Sequence, residues 1–399
     1  MQKPLAGVRV LDFSKVLAGP LCTQYLADMG AEVIKIEPVE TGDDTRAWPP
    51  FCGPGLGAVF MSVNRGKKSV AIDLKTEEGR ELAYRLAATA DVAIESFGTG
   101  VAERLGIDEA ALRKVQPDII YCSIAGFGRS GPMKDAPGYD VILQAFCGIM
   151  SLTGEEGGPH VRSPISPVDQ TTGMHALSGI LAALYARRGG APGSRVEASL
   201  FESAIGLMAY NIHSYWQKGV QPVRCGSSHE SLCPYQVFEA ADGPIMIGVA
   251  NDRLWQRFCD VAGLSDIADD PRFRTNVARA ENRVETVDIV QRAIARHDAT
   301  WWYEELAKVK VPAAPLNTLQ QLLDHPHTRA SGIIMSNDHP SVGAVNHIAQ
   351  PLRMDGAKRV VTSPVPMHGE HTGEVLAGLE MTEAEIETFA NAGVIHRYE

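Results

Sequence analysis

The chain has 399 residues, 45% hydrophobic and 21% charged, with a formal net charge of -11. At roughly 150 residues per domain it holds two or three domains, and a composition of this kind excludes a disordered chain. The acidic balance argues against a surface that tracks a nucleic-acid backbone, although a local basic pocket can still hold an anion. The start, MQKPLAGVRV, has no apolar core of a signal peptide, and no run of about 18 apolar residues occurs anywhere, so no membrane span is expected. The 7 cysteines are scattered without a CxxC pair. That pattern predicts reduced thiols in a cytoplasmic protein and no zinc or other metal site.

GVRVLDF (7–13) reads as a buried strand, SKVLAGP (14–20) as a turn, and LCTQYLADMG (21–30) as a helix stopped by Gly30. AEVIKIE (31–37) is a second strand, which completes a βαβ unit. KKSVAIDL (67–74) reads as a strand and EEGRELAYRLAATA (77–90) as a helix. DVAIES (91–96) is a strand, AALRKV (110–115) a short helix and DIIYCSIAGFG (118–128) a strand. This alternation predicts the α/β class, with a mostly parallel, Rossmann-like sheet.

From about residue 225 the texture changes. PYQVFEAADGPIMIGVA (234–250) predicts a hairpin about Ala241-Asp242-Gly243. Helices follow in NDRLWQRFCDVAGL (251–264) and VETVDIVQRAIARH (284–297). VPAAPLNTL (311–319) reads as a connection, and the tail as short strands with a terminal helix, TEAEIETFANAG (382–393). The expected organisation is a large α/β domain begun by 1–205, a linker at 206–225, and a small α+β domain at 226–326. Residues 327–399 are expected to return to the large domain.

Several chemistries fail on spacing. A dinucleotide site would need G-x-G-x-x-G in the first turn, but SKVLAGP offers Gly19 alone, followed by Pro20, even though Glu37 closes the second strand. GKKS (66–69) imitates the end of a P-loop, but Met61 stands where its first glycine belongs. There is no G-x-S-x-G elbow and no His pair of zinc-protease spacing. What remains is Asp169, placed before a helix whose apolar face runs Met174, Leu177, Ile180, Leu181 and Leu184. By itself Asp169 reads as an N-cap. His175 reads as an ordinary core or surface histidine, and His229, in the turn GSSHESLCPY, as a solvated or ligand-facing one. Arg46 and Trp48 lie in the loop after the second strand, where ligands bind in such sheets, or else simply pack that loop. The basic stretch NRGKKS, with Arg65, reads as an exposed turn.

The ordered series PLAGVRVLDFSKVLAGP, GAEVIKIEP, GDDTRAW, NRGKKSVAIDLK, ESFGTG, PGYD, SPVDQTTGMHALSGILAALYARR, PYQVFEAADG, DPRFRTN and MHGEHT resembles the class III CoA-transferases. That group includes the carnitine- and formyl-CoA transferases and the α-methylacyl-CoA racemases. The resemblance spans nearly the whole chain. It implies a Rossmann-like large domain with a smaller α+β domain, in a homodimer of interlocked rings. It also implies that Asp169 is a covalent nucleophile, forming first an acyl anhydride and then a CoA thioester. Such a carboxylate needs no base to deprotonate it. A helix N-terminus would favour its ionised form and offer N–H groups to developing oxyanions.

The resemblance further implies that CoA lies against Val16, Ala18, Ile72, Asp73, Leu74, Lys75, Ser96, Phe97, Gly98, Arg104, Pro137, Gly138, Tyr139 and Asp140. No permanently bound cofactor is implied, CoA and acyl-CoA being substrates. Where formyl-CoA transferases place a glutamine against the small acid, this chain has Leu17, and GSSHESLCPY replaces their glycine-rich loop. Those departures turn the expectation from oxalate toward transfer from succinyl-CoA to a dicarboxylate such as glutarate, 3-hydroxy-3-methylglutarate, itaconate, mesaconate or malate. Candidates to hold the substrate are Leu17, Arg46, Trp48, Arg65, Ser228 and His229. The racemase alternative needs a histidine before the PGYD aspartate, where this chain has Tyr139; tyrosine is ordinarily protonated at neutral pH and a poor base.

Overall fold

A computed structural model describes residues 3–356 and 363–398. Residues 1–2, 357–362 and 399, which fall in the expected 1–205 and 327–399 segments, lie outside the described residues. Contacts divide the chain into two units, Met1–Ile149, Ser163–Gln217 and Pro326–Glu399 against Met150–Arg162 and Lys218–His325.

The first unit is organised by a seven-stranded sheet in the order Ile395–His396, Lys67–Ile72, Glu32–Glu37, Arg9–Asp12, Val92–Glu95, Ile120–Ala125, Arg195–Ser199. All neighbours are parallel except the edge strand Ile395–His396, which runs antiparallel to Lys67–Ile72. The apolar runs of these strands reflect burial on both faces. Alternate side chains serve different cores: Val10, Val33 and Ile120 join one cluster, while Leu11, Ile34 and Tyr121 join the other. Each such side chain contributes about 1.5–3 kcal/mol when buried.

Strand order reverses between Arg9–Asp12 and Val92–Glu95: the second and third strands in sequence extend the parallel sheet on one side, and the fourth and fifth extend it on the other. In a doubly wound sheet, ligands bind at the carboxyl ends of the strands at this switch point.

The first helix is Ala18–Asp28, three residues earlier than expected. Pro20 does not stop it, because first-turn N–H groups have no intrahelical partner to lose. Gly19 is required there, since a Cβ would lie 2.3 Å from the Ser14 side chain. This helix packs against the long helix Pro167–Arg188, and the approach is close: a Cβ on Gly173 would lie 2.6 Å from the Ala18 carbonyl oxygen. The buried stripe of the long helix includes Val168, Thr172, Ala176, Leu177, Ile180, Ala183 and Leu184. Met174, expected on the apolar face, is exposed.

The span 206–225, expected as a linker, contains the helix Ala209–Lys218, none of whose residues is buried. With no buried stripe, it leaves no helical period of core residues to find. The segment from Pro326 supplies the first unit with the hairpin Ile334–His339/Gly343–Ile348, the helices Thr372–Ala377 and Glu383–Asn391, and the antiparallel edge strand.

The second unit has a three-stranded antiparallel sheet, Tyr235–Glu239 with Pro244–Gly248 with Ala313–Pro315. The third strand lies in the stretch read as a plain connection. Its Pro315 is tolerated because the strand is an edge. Trp255, Phe258, Phe273 and Trp302 fill the core. No helix among the described residues is long and apolar enough to cross a membrane.

Candidate active site

A cavity of about 430 Å³ opens at the switch point. It is lined by Lys15–Ala18 after the first strand, Ser96–Thr99 after the fourth, Ala136–Tyr139 after the fifth, and Asp169 on the long helix. Val16, Leu17, Ala18, Ser96, Phe97, Gly98, Pro137, Gly138, Tyr139 and Asp169 are thus brought together in one unit. Two glycines make the wall possible: Gly126 and Gly138 pack backbone to backbone, and a Cβ on Gly138 would lie 2.7 Å from Gly126 Cα.

The helix bearing Asp169 starts at Pro167, a residue suited to the first helical position. Asp169 is therefore the third helical residue and not the N-cap. Ser166 holds that place in a left-handed conformation (φ 48°, ψ 58°) and makes no side-chain cap bond. The cap comes from elsewhere. The buried Asp140 carboxylate accepts from Val168 N at 2.8 Å and Asp169 N at 3.0 Å, and from the Gln144 amide. Asp140 consequently turns away from the cavity that it was expected to line.

The expected electrostatics of Asp169 are also corrected. The helix N–H groups meant for developing oxyanions are already occupied by Asp140. Burial pushes the Asp169 carboxyl up, the facing Asp140 charge pushes it further, and its pKa reaches about 7. Among the described residues its side chain accepts no hydrogen bond, so no protein donor offsets the burial that raises its pKa, and the carboxyl stays available at the cavity.

Other expected residues lie elsewhere. Ile72 is buried at the end of its strand, and Asp73 Oδ1 accepts from Lys75 N at 2.9 Å before the helix Glu77–Ala87. Those two, with Leu74 and the exposed Arg104 on Val101–Leu105, do not line the cavity, though they follow strands on the same carboxyl edge. Trp48 is exposed after the turn Asp44–Ala47 and does not line it either. Ser228 and His229 belong to the second unit. There Ser228 Oγ donates to Cys225 O at 2.7 Å, and His229 Nδ1 accepts from Ser231 N at 3.0 Å beside the Tyr235 ring.

The two arginines proposed for a substrate carboxylate are engaged. Arg46 is 4% exposed and bidentate on Glu37, with both N–O distances 2.8 Å, and its guanidinium sits 3.7 Å from the Phe60 ring centre. Burial opposes the Glu37 charge, but Arg46 holds that carboxyl well below the usual range. Arg65 is equally buried and paired with Asp28. Replacing Arg46 with Ala is expected to lower thermal stability by about 3–5 kcal/mol, because Glu37 stays buried without its partner. The acceptor KM of the folded enzyme should not move; a raised KM at unchanged melting temperature would return Arg46 to the substrate.

Lys15, Asp44, Arg129, Lys134 and Asp135 also line the cavity and were not singled out in the sequence. Arg129 binds Glu95 Oε1 at 2.7 Å, Ser123 Oγ at 2.7 Å and the carbonyls of Phe97 and Ile124. It clamps the cavity wall and has little left for a ligand. Its position in the loop after the fifth strand was the available signal.

The sequence matches CoA-transferase family III over residues 5–372. It is 39% identical over 391 residues to the succinate–glutarate CoA-transferase of Agrobacterium fabrum, covering 95% of this chain and 96% of that one. The succinyl-CoA:glutarate CoA-transferase of Mus musculus is 36% identical over 399 residues, covering 100% of this chain and 91% of that protein. A crystal structure of a CAIB/BAIF family protein from Brucella suis superposes with a TM-score of 0.84 at 36% identity, covering 95% of this chain and 100% of that chain. A doubly wound sheet, a cavity at its switch point and a match across both units lead to one assignment: the chain is an enzyme of CoA-transferase family III.

Proposed function

We propose that the enzyme moves CoA from succinyl-CoA to a dicarboxylate such as glutarate, itaconate, mesaconate or malate, with Asp169 as nucleophile. The observation that carries this reading is the Asp169 carboxyl: unbonded, in the cavity, with no histidine among the lining residues. The Asp169 carboxylate attacks the thioester carbon and expels CoA thiolate, leaving a mixed anhydride. The thiolate attacks the aspartyl carbonyl, freeing the donor acid and forming an aspartyl-CoA thioester. The acceptor carboxylate then displaces CoA thiolate, giving a second anhydride. Attack of the thiolate on the acceptor carbonyl yields the new acyl-CoA and regenerates Asp169. No external proton is needed at any step, which suits a site whose lining holds no histidine.

The names of the similar proteins support glutarate among the acceptors. Leu17, apolar at the cavity wall, argues against a formyl-CoA:oxalate type of acceptor site. An epimerase would need a second base facing Asp169, and Tyr139 is a poor one. The reading includes a cytoplasmic homodimer, interlocked as the resemblance implies. Exposed Ile142, Phe146, Tyr210 and Trp216 on the first unit's helices suit burial against a second copy.

The test is a panel of acids offered with succinyl-CoA, followed by the appearance of each new thioester. Transfer to glutarate or another dicarboxylate, exceeding transfer to oxalate, is expected. Deuterium exchange at the α-carbon of a 2-methylacyl-CoA without any acceptor would support the epimerase instead.

A further inference from the structure

Behind the cavity wall lie four buried charges that the reaction does not use. Lys35 Nζ meets Asp43 Oδ2 at 2.9 Å and Lys67 Nζ meets Asp12 Oδ2 at 3.0 Å, with side-chain exposure of 0–1% throughout. Burial opposes these charges, but Lys67 and Lys35 hold the Asp12 carboxyl below its ordinary range, and Asp43, Asp12 and Glu37 hold the Lys35 ammonium above its own. A buried ion pair adds little net stability over apolar residues of the same size, so its presence calls for another reason.

Other bonds of the array tie it to Thr23, Thr45 and Asn64, and three reach one short stretch of backbone. Lys35 Nζ donates to Ser14 O at 2.8 Å, Ser14 N donates to Asp12 Oδ1 at 3.0 Å, and Val16 N donates to Asp43 Oδ2 at 3.3 Å. Lys67 Nζ also donates to Pro20 O at 2.9 Å, just beyond that turn. Between these anchors Val16 adopts φ 69°, a left-handed conformation that a β-branched residue rarely takes. Val16, Leu17 and Ala18 then line the cavity, and the Ala18 carbonyl is the surface against which Gly173 of the Asp169 helix packs. Strain at the wall and anchoring behind it are parts of one arrangement.

We propose that the Lys35–Asp43 and Lys67–Asp12 pairs are positioning residues, which hold the Ser14–Leu17 turn in its strained form so that the wall facing Asp169 keeps its shape. The inference rests on the reading of this cavity as the acyl-CoA site. Its test is the double variant Lys35→Met/Asp43→Leu, which removes both charges of one pair and leaves none unpaired. Asp43→Asn is the milder companion, expected to shift each readout in the same direction.

Two readouts are taken: the Val16 conformation by crystallography, and kcat/KM for succinyl-CoA. The turn is expected to relax out of the left-handed region, and kcat/KM to fall by about tenfold to a hundredfold, the scale of a small misplacement at a reacting centre. Adding Val16→Gly to the double variant should recover part of that loss, because glycine takes the left-handed form without strain; a purely structural role predicts no such rescue. A turn that stays in place overturns the inference at any rate of turnover. A turn that relaxes while kcat/KM is unchanged overturns instead the reading of the cavity as the reaction site.

Discussion

Asp169→Asn is expected to abolish CoA transfer, by at least about 10³-fold as for other lost nucleophiles, while raising thermal stability at pH 8. The two effects share a cause. Burial, and then Asp140, raise the Asp169 pKa from 3.8 to about 7. Between those values the folded protein keeps a proton that the unfolded chain has released. The contribution of this group to stability is therefore present at low pH and falls as the pH rises through 7. Above pH 7 the ionised group destabilises the fold by an amount on the order of 2–4 kcal/mol, most of which a neutral amide removes. Melting temperatures at pH 5 and pH 8 check this: the advantage of the variant should grow with pH. A residue that served only as a helix cap would behave oppositely, the variant being less stable and still active.

Asp140→Asn should shift the pH dependence of kcat/KM. In the wild type, activity rises as Asp169 ionises, with a midpoint near 7. The variant deletes the second cause of the raised pKa and keeps the first, burial, so the midpoint falls but stays above the ordinary carboxylate range. Lys15, Asp44, Arg129, Lys134 and Asp135 also line the cavity and are unchanged in the variant. At pH 5.5 the variant should retain more of its maximal rate than the wild type does. At pH 8 it should be slower, because a less basic carboxylate is a weaker nucleophile. The weakened cap should also lower stability by about 0.5–2 kcal/mol. An unmoved midpoint, measured from pH 5 to 9, would remove Asp140 from any role beyond capping.

The parallel sheet was legible in the sequence because its strands are continuous apolar runs separated by helical periods, as in EVIKIE and IYCSIA. Ala313–Pro315 was not, since three residues ending in proline carry no strand pattern. The helix start at Ala18 was hidden by Pro20, which marks a break only in a helix interior. The candidate site was legible in part from stretches of backbone that motifs name: the loops at Val16–Ala18, Ser96–Gly98 and Pro137–Tyr139 meet at one cavity, whereas Ile72–Lys75, named in the same way, does not line it. Side-chain partnerships were not legible. Arg46 in a loop resembles a free cation until Glu37 is found beneath it. The cap of the Asp169 helix comes from Asp140, 29 residues away, where no local capping rule can find it. Asp140 and Arg46 thus pass from expected ligand contacts to the frame that holds the site.

The most direct measurement incubates the enzyme with succinyl-CoA and no acceptor, adds hydroxylamine briefly, and maps the peptides by mass spectrometry. Hydroxylamine converts an acyl anhydride or thioester of a side-chain carboxyl into a hydroxamate. The expected result is a hydroxamate on Asp169 that requires the donor and appears on no other carboxylate. Turnover with Asp169 unmodified, or a hydroxamate at a different residue, would contradict covalent catalysis by Asp169.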